Sequence, residues 1–124
     1  MNVIDTSCWL EYIAATERSE LFSYQIEDVN NLIVPTIVLY ETFKKLMIES
    51  DEDKALITIA YMKQAKIVDI DSSIALHAAK ISLEYKLPMA DSIIYAVTKK
   101  FNATLWTQDE HFEKLQNVKY FPKK

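Results

Sequence analysis

The chain has 124 residues, half of them hydrophobic, with a formal net charge of −4 and no glycine. This composition excludes the glycine-dependent phosphate loops, and no apolar run approaches the roughly 20 residues that a membrane span needs. The negative charge is also not typical of a nucleic-acid binder. A chain of this length buries roughly two-thirds of its unfolded surface, which predicts a single globular domain over residues 1–124. Without a signal-peptide pattern after Met1, we expect a soluble, cytoplasmic protein that does not bind membranes.

Short runs rich in β-branched residues alternate along the chain with longer segments whose apolar residues recur every three or four positions. The runs predict strands at residues 2–5, 32–35, 66–70, 103–107 and 118–121. In the segments between these runs, the spacing of the apolar residues predicts helices around residues 9–13, 21–26, 37–47, 56–62, 74–83 and 93–97. This alternation is typical of an α/β fold with a mostly parallel sheet of about five strands, covered on both faces by helices.

Four acidic residues fall near the points where predicted strands lead into helices. They are Asp5, Glu41, Asp91 and Asp109. Ligands of open parallel sheets bind at the carboxyl ends of the strands, so we expect these side chains to lie close together. Removing the four from the 18 acidic residues leaves 14, equal to the 14 lysines and arginines, so the cluster accounts for the excess charge. Crowded carboxylates repel one another unless they share a cation, and hard oxygen donors favour Mg²⁺ or Mn²⁺.

Each of these acids also has a simpler explanation. Asp5, with the two hydroxyl residues after it, suits a helix-capping turn. Glu41 is placed to pair with Lys45 four residues later. Asp91 would be favoured by the dipole at a helix N-terminus, and Asp109 would cap a helix over "EHFEKL". The metal-site prediction therefore rests on the coincidence of all four acids.

Four segments of the chain together resemble the PIN-domain ribonucleases. They are "VIDTSCWLEYI" at 3–13, "VPTIVLYET" at 34–42, "LPMADSIIYAV" at 87–97 and "LWTQDEHF" at 105–112. The segments occur in that family's order over essentially the whole chain, and the compact length resembles the VapC-type toxins of toxin–antitoxin pairs. The resemblance implies a three-layer α/β/α sandwich with a central parallel sheet.

The resemblance also implies a set of site residues. The metal-binding acids would be Asp5, Glu41, Asp91 and Asp109, and hydroxyls ordering the site would come from Ser7 or Thr6 and from Thr107. The activity implied is cleavage of tRNA, rRNA or mRNA with Mg²⁺ or Mn²⁺ as cofactor, which would inhibit translation. The implied partners are a small VapB-like antitoxin and a second copy in a homodimer.

Two features depart from the family pattern. Many relatives carry glycine before the "T-x-D" block, where this chain has Phe101, Asn102 and Ala103, so the local turn is expected to differ. Arg18 is the only arginine, which leaves contacts with RNA largely to lysines.

Three further residues are candidates for contact with the substrate, beside Thr6. Lys45 lies one turn from Glu41, while Tyr95 and Lys99 lie one and two turns from Asp91. Lysines bind phosphates and an exposed tyrosine stacks on a base. The competing explanations are solvated lysines and a tyrosine in the core.

Two other functions stay open. One is a catalytically inactive module that keeps the fold and binds RNA or protein, although four acids would weaken binding to an anionic polymer. The other is a phosphatase with Asp5 as nucleophile, which lacks the second aspartate expected two residues later.

Cys8 has no histidine near it in sequence, and His77 is expected to be structural. Whether His111 touches the site is left open, since a zinc site has no other support.

Overall fold

The computed structural model describes residues 1–123 and confirms the α/β class. Its single sheet has five parallel strands, in the order β3-β2-β1-β4-β5. These are β1 (Asn2–Ile4), β2 (Leu32–Pro35), β3 (Lys66–Val68), β4 (Thr104–Thr107) and β5 (Val118–Tyr120). Every strand agrees with its predicted segment to within two residues. Residue 124, the last of the predicted domain, lies outside the described residues.

Helices follow the strands as the apolar spacing predicts. They are α1 (Thr6–Ile13), α2 (Glu20–Glu27), α3 (Thr36–Glu49), α4 (Glu52–Met62), α5 (Ser72–Tyr85) and α6 (Met89–Lys100). The helix considered over "EHFEKL" is not formed, and only a 3-10 turn at Glu110–Phe112 is present there. Within residues 1–123, every helix falls short of the length and apolar character that crossing a bilayer requires.

The middle of the sheet is covered on both faces. Val3 and Ile4 are adjacent in β1, so their side chains point to opposite faces, and both are fully buried. Ile33 and Val34 of β2 are buried in the same way. Helices must therefore pack on each side, which confirms the predicted three-layer α/β/α sandwich.

The strand order creates a crevice between β1 and β4. From β1 the chain moves outward to β2 and β3 on one side, and it returns to place β4 and β5 on the other side. The backbone N–H of Asp5 donates to the carbonyl of Trp106 at 3.0 Å, which joins the ends of the two strands. Connections leaving neighbouring strands in opposite directions open a crevice at their carboxyl ends.

The turn before β4 is built without glycine. Asn102 follows the end of α6 and has a φ of 48°, in the left-handed region. Asparagine tolerates this conformation better than other residues with a side chain, so it replaces glycine after a helix. The missing glycine therefore does not prevent β4 from entering the sheet beside β1.

Candidate active site

A cleft of about 480 Å³ lies at the carboxyl ends of β1 and β4. The structure brings all four predicted acids to this cleft, from four separate segments of the chain. They are Asp5 after β1, Glu41 on α3, Asp91 on α6 and Asp109 after β4. Thr6 and Ser7 also line it.

Asp5 is the most buried of the acids, and both its carboxylate oxygens accept hydrogen bonds. It is 6 % exposed and is itself the N-cap of α1, with Oδ1 accepting from the backbone N–H of Thr6 at 2.8 Å. Its Oδ2 accepts from the Thr107 hydroxyl at 2.8 Å. Thr107 is fully buried, and its Oγ1 accepts from the backbone N–H of Asp109 at 3.0 Å. One hydroxyl therefore sets the positions of two acids.

The carboxyl group of Asp5 has a raised pKa, so its ionised form is disfavoured. The pKa of Asp5 is raised from 3.8 to about 7, mainly by burial and to a smaller extent by the nearby charges of Asp91 and Asp109. The hydrogen bonds from Thr107 and Thr6 lower this pKa but do not cancel the effect of burial. A cation beside Asp5 would lower this pKa and favour the ionised carboxylate at neutral pH.

Asp91 lies in the first turn of α6, and its side chain is 16 % exposed. The pKa of Asp91 is raised to about 6, mainly by burial, with smaller contributions from the charge of Asp109 and then from that of Glu41. The contact with His111 lowers it in part. The position at a helix N-terminus, considered as a simpler explanation, thus coexists with a place in the acidic cluster.

His111 does touch the site, which answers the question that the sequence left open. Its Nδ1 lies 3.0 Å from Asp109 Oδ1 and 3.2 Å from Asp91 Oδ2. The charge of Asp109 is the largest influence on the imidazole and raises the pKa of His111. Asp109 also caps the 3-10 turn, because its Oδ1 accepts from the backbone N–H of His111 at 2.9 Å.

Glu41 is held at the cleft by α1. Its Oε1 accepts a hydrogen bond from the Thr6 hydroxyl at 2.7 Å. The pairing considered between Glu41 and Lys45 is wrong, because the Lys45 ammonium pairs instead with Glu49 at 3.3 Å. Ser7 lies beside Thr6, and its Oγ is 4.0 Å from the Cys8 sulfur.

The predicted substrate residues are not gathered as closely as the acids. Tyr95 is 1 % exposed and its hydroxyl donates to the Gln116 carbonyl, so the core explanation holds and base stacking by this residue is wrong. Lys99 is exposed, but it faces the Tyr95 ring at 6.0 Å and does not line the cleft. Lys45 lines a second groove that shares Thr6 with the cleft.

Sequence reasoning missed the C-terminal part of the cleft wall. This wall includes Gln108, Glu110, Tyr120 and Lys123. Gln108 is buried, and its Oε1 accepts from the Nε of Arg18. Another nitrogen of Arg18 donates to the carbonyls of Phe121 and Pro122 at 3.1 and 3.2 Å. The only arginine therefore holds the chain's C-terminal segment, and the sole signal for Gln108 was its place inside the "T-x-D" block.

Cys8 and His77 do not line the cleft. Cys8 is fully buried, and burial raises the pKa of its thiol well above the usual range, so a thiolate nucleophile is disfavoured. His77 is exposed on α5, so the expected structural place within the packed helix is wrong.

The donor set of the cleft fits a hard divalent cation. Carboxylates that raise one another's pKa values are relieved when they share such an ion, and oxygen ligands suit Mg²⁺ and Mn²⁺. Asp5 and Asp91 are the two whose pKa values are raised most clearly. These two acids, with Asp109 and Glu41 beside them, are the residues that would hold the ion.

The fold and the site together define an α/β protein with an acidic cleft at the switch point of a parallel sheet. The family model of the PIN domain matches residues 3–118. The chain therefore belongs to the PIN domain family, as its sequence motifs predicted. No curated protein sequence matches the chain significantly.

Several solved structures share this fold. A toxin–antitoxin complex from Klebsiella pneumoniae is similar with a TM-score of 0.81 and 18 % identity, covering 99 % of this chain and 100 % of that one. VapC20 of Mycobacterium tuberculosis, a toxin that cleaves the sarcin–ricin loop, has a TM-score of 0.77 and 16 % identity. The match covers 94 % of this chain and 95 % of that one. VapBC2 of Rickettsia felis, bound to a promoter DNA fragment, has a TM-score of 0.74 and 15 % identity, covering 98 % and 97 %.

Proposed function

We propose that this protein is an endoribonuclease that depends on Mg²⁺ or Mn²⁺ and acts as the toxin of a toxin–antitoxin pair. The observation that carries the proposal is the convergence of four carboxylates on one cleft, with Asp5 nearly fully buried and its pKa raised to about 7. Membership of the PIN domain family supports the nuclease assignment. The toxin assignment is supported by the shared fold with VapC20 and with the toxin–antitoxin complexes.

In the proposed mechanism, a bound Mg²⁺ or Mn²⁺ ion would lower the pKa of a coordinated water and offset the charge of the scissile phosphate. Asp5 and Asp91 would hold this ion, and Thr107 would keep the Asp5 carboxylate oriented through its hydrogen bond. Glu41 lines the cleft and accepts from Thr6 through one oxygen, and its other oxygen would orient or deprotonate the attacking water. Attack by water on the phosphorus should leave a 5′-phosphate and a 3′-hydroxyl.

The RNA must approach an acidic cleft, so basic residues beside it are needed. Lys123 lines the cleft itself. Lys44 and Lys45 line the neighbouring groove, which joins the cleft at Thr6 and Glu41. We assign contacts with RNA phosphates to these lysines, because lysine binds phosphate as a compact charge. The Thr6 hydroxyl lies between groove and cleft and is the proposed contact nearest to the scissile bond.

The proposed mode of inhibition follows from the acidic lining of the cleft. A small VapB-like antitoxin would inhibit the enzyme by inserting a basic side chain among the four acids, and the pair would act in the cytoplasm. The toxin itself would form a homodimer. If reversing the charge of the antitoxin's C-terminal arginine or lysine left the complex equally tight, this mode of inhibition would be wrong.

A phosphatase with Asp5 as nucleophile is less well supported. Both oxygens of Asp5 accept hydrogen bonds, from Thr6 and from Thr107, which fix the carboxylate in one orientation. The second aspartate expected two residues later to protonate the leaving group is absent, and Ser7 stands at that position. The catalytically inactive binding module remains the alternative that an activity assay must separate from the nuclease.

Cleavage of end-labelled tRNA and rRNA by the purified, partner-free chain tests the proposal. We expect discrete cuts with 5′-phosphate ends in Mn²⁺ or Mg²⁺ that disappear with EDTA and with Asp91→Asn. Asp69→Asn is the matched control, because Asp69 is exposed and does not line the cleft. A folded wild-type chain that binds RNA but cuts none of these substrates in either metal would favour the inactive module. Cutting that persists in EDTA would exclude the metal-dependent mechanism.

A further inference from the structure

His111 places an imidazole nitrogen between two acids of the cleft. Its backbone N–H donates to Asp109 Oδ1 at 2.9 Å, and the next residue, Phe112, is fully buried. The hydrogen bond to Asp109 and the burial of Phe112 therefore hold the backbone of the 3-10 turn before and after His111. The side chain is 51 % exposed, yet its Nδ1 contacts both Asp91 and Asp109.

We propose that His111 is a metal ligand of this cleft and that it biases the site toward Mn²⁺ over Mg²⁺. The inference rests on the proposed metal-dependent function, and it adds a nitrogen donor to a site otherwise made of oxygens. One nitrogen of His111 and one oxygen from each of the two acids lie within 4.8 Å of one another.

The distances among these donors match one coordination shell. An octahedral ion with metal–ligand distances of about 2.1 Å holds neighbouring ligand atoms about 3.0 Å apart. The Nδ1 of His111 lies 3.0 Å from Asp109 Oδ1 and 3.2 Å from Asp91 Oδ2. Small movements of these side chains would therefore let His111 Nδ1 occupy a coordination position next to each of the two carboxylate oxygens.

The identity of the donor decides which metal benefits. Mg²⁺ strongly prefers oxygen, whereas imidazole suits the transition metals, and affinity rises along the first row from Mn²⁺ onward. Asp91 and Asp109 would bind either ion. Adding His111 therefore favours Mn²⁺ over Mg²⁺, and later metals such as Co²⁺ more strongly still.

Pulsed electron paramagnetic resonance of bound Mn²⁺ tests the proposal directly. A directly bound imidazole gives a strong ¹⁴N modulation of the Mn²⁺ echo, which carboxylates and water do not give. The chain has two histidines, so tag-free protein offers a matched pair of variants, His111→Gln and His77→Gln. His77 is exposed on α5 and serves as the control. We expect the ¹⁴N modulation in the wild type and in His77→Gln, and its loss in His111→Gln.

Metal affinities provide the second readout. Losing one supporting residue typically weakens a metal site by 10- to 100-fold, so His111→Gln should raise the Kd for Mn²⁺ by about tenfold and the Kd for Mg²⁺ by much less. Circular dichroism would check that the variant is folded. Mn²⁺ bound by the wild type without ¹⁴N modulation would overturn the inference and leave the proposed function standing. No binding of either metal to the folded wild type would overturn both.

Discussion

Without metal, the protein should become less stable as the pH rises from 5 to 8. The pKa of Asp5 is about 7 in the folded state against an ordinary value of 3.8, because the carboxyl group is buried. A raised folded-state pKa means that the folded chain holds the proton after the unfolded chain has lost it. The contribution of this proton to the stability of the folded state is therefore complete below pH 3.8 and is lost as the pH rises through about 7.

The size of the effect follows from the two pKa values. Between pH 5 and pH 7 the folded state keeps most of a proton that the unfolded state has released, and each pH unit contributes about 1.4 kcal/mol. The free energy of unfolding should thus fall by roughly 2 kcal/mol, which for a domain of this size lowers the Tm by about 8 °C. The raised pKa values of Asp91 and His111 act in the same direction.

Thermal unfolding in EDTA at pH 5, 6, 7 and 8 measures this slope. Asp5→Asn should remove most of it, since the amide does not titrate, still accepts from Thr6, and is able to donate to the Thr107 oxygen. Asp69→Asn, at an exposed site outside the cleft, should keep the slope. Added Mn²⁺ should restore the stability of the wild type at pH 8 and should stabilise Asp5→Asn less at the same concentration. Equal slopes for the wild type and Asp5→Asn would refute the argument that burial of Asp5 creates the need for a cation.

Three further substitutions separate roles in the cleft from roles in the core. Thr107→Val removes a buried hydroxyl that serves Asp5 and should cost about 1–3 kcal/mol and weaken Mn²⁺ binding in calorimetry, whereas Thr107→Ser should retain both. Glu41→Gln should lower the rate of RNA cleavage by about 10²- to 10⁴-fold with an unchanged Tm, so full activity would exclude a general-base role. Tyr95→Phe leaves the Gln116 carbonyl without its donor and should lower stability by about 1 kcal/mol while RNA cleavage stays normal. A loss of cleavage in that folded variant would show that the hydroxyl of Tyr95 contributes to more than stability.

The class of fold and the clustering of the four acids could both be predicted from the amino-acid sequence. Runs such as residues 32–35 are β-branched and apolar, and alternation with helical spacing permits few arrangements other than a covered parallel sheet. Because parallel strands end at the same edge, Asp5 and Asp109 had to lie near each other once their strands were neighbours. That the four acids bind a metal stays a prediction.

Tertiary structure decided what depends on the packing of segments distant in sequence. Spacing placed Tyr95 and Asp91 on one side of a helix, but only the packing against Gln116 and Tyr85 shows that the tyrosine is buried. His111 reached the cleft because the chain forms a 3-10 turn there in place of the helix considered. The sequence predicted that clustered acids would repel one another, but it did not predict the burial that is the main cause of the raised pKa of Asp5, because burial depends on how the folded chain packs.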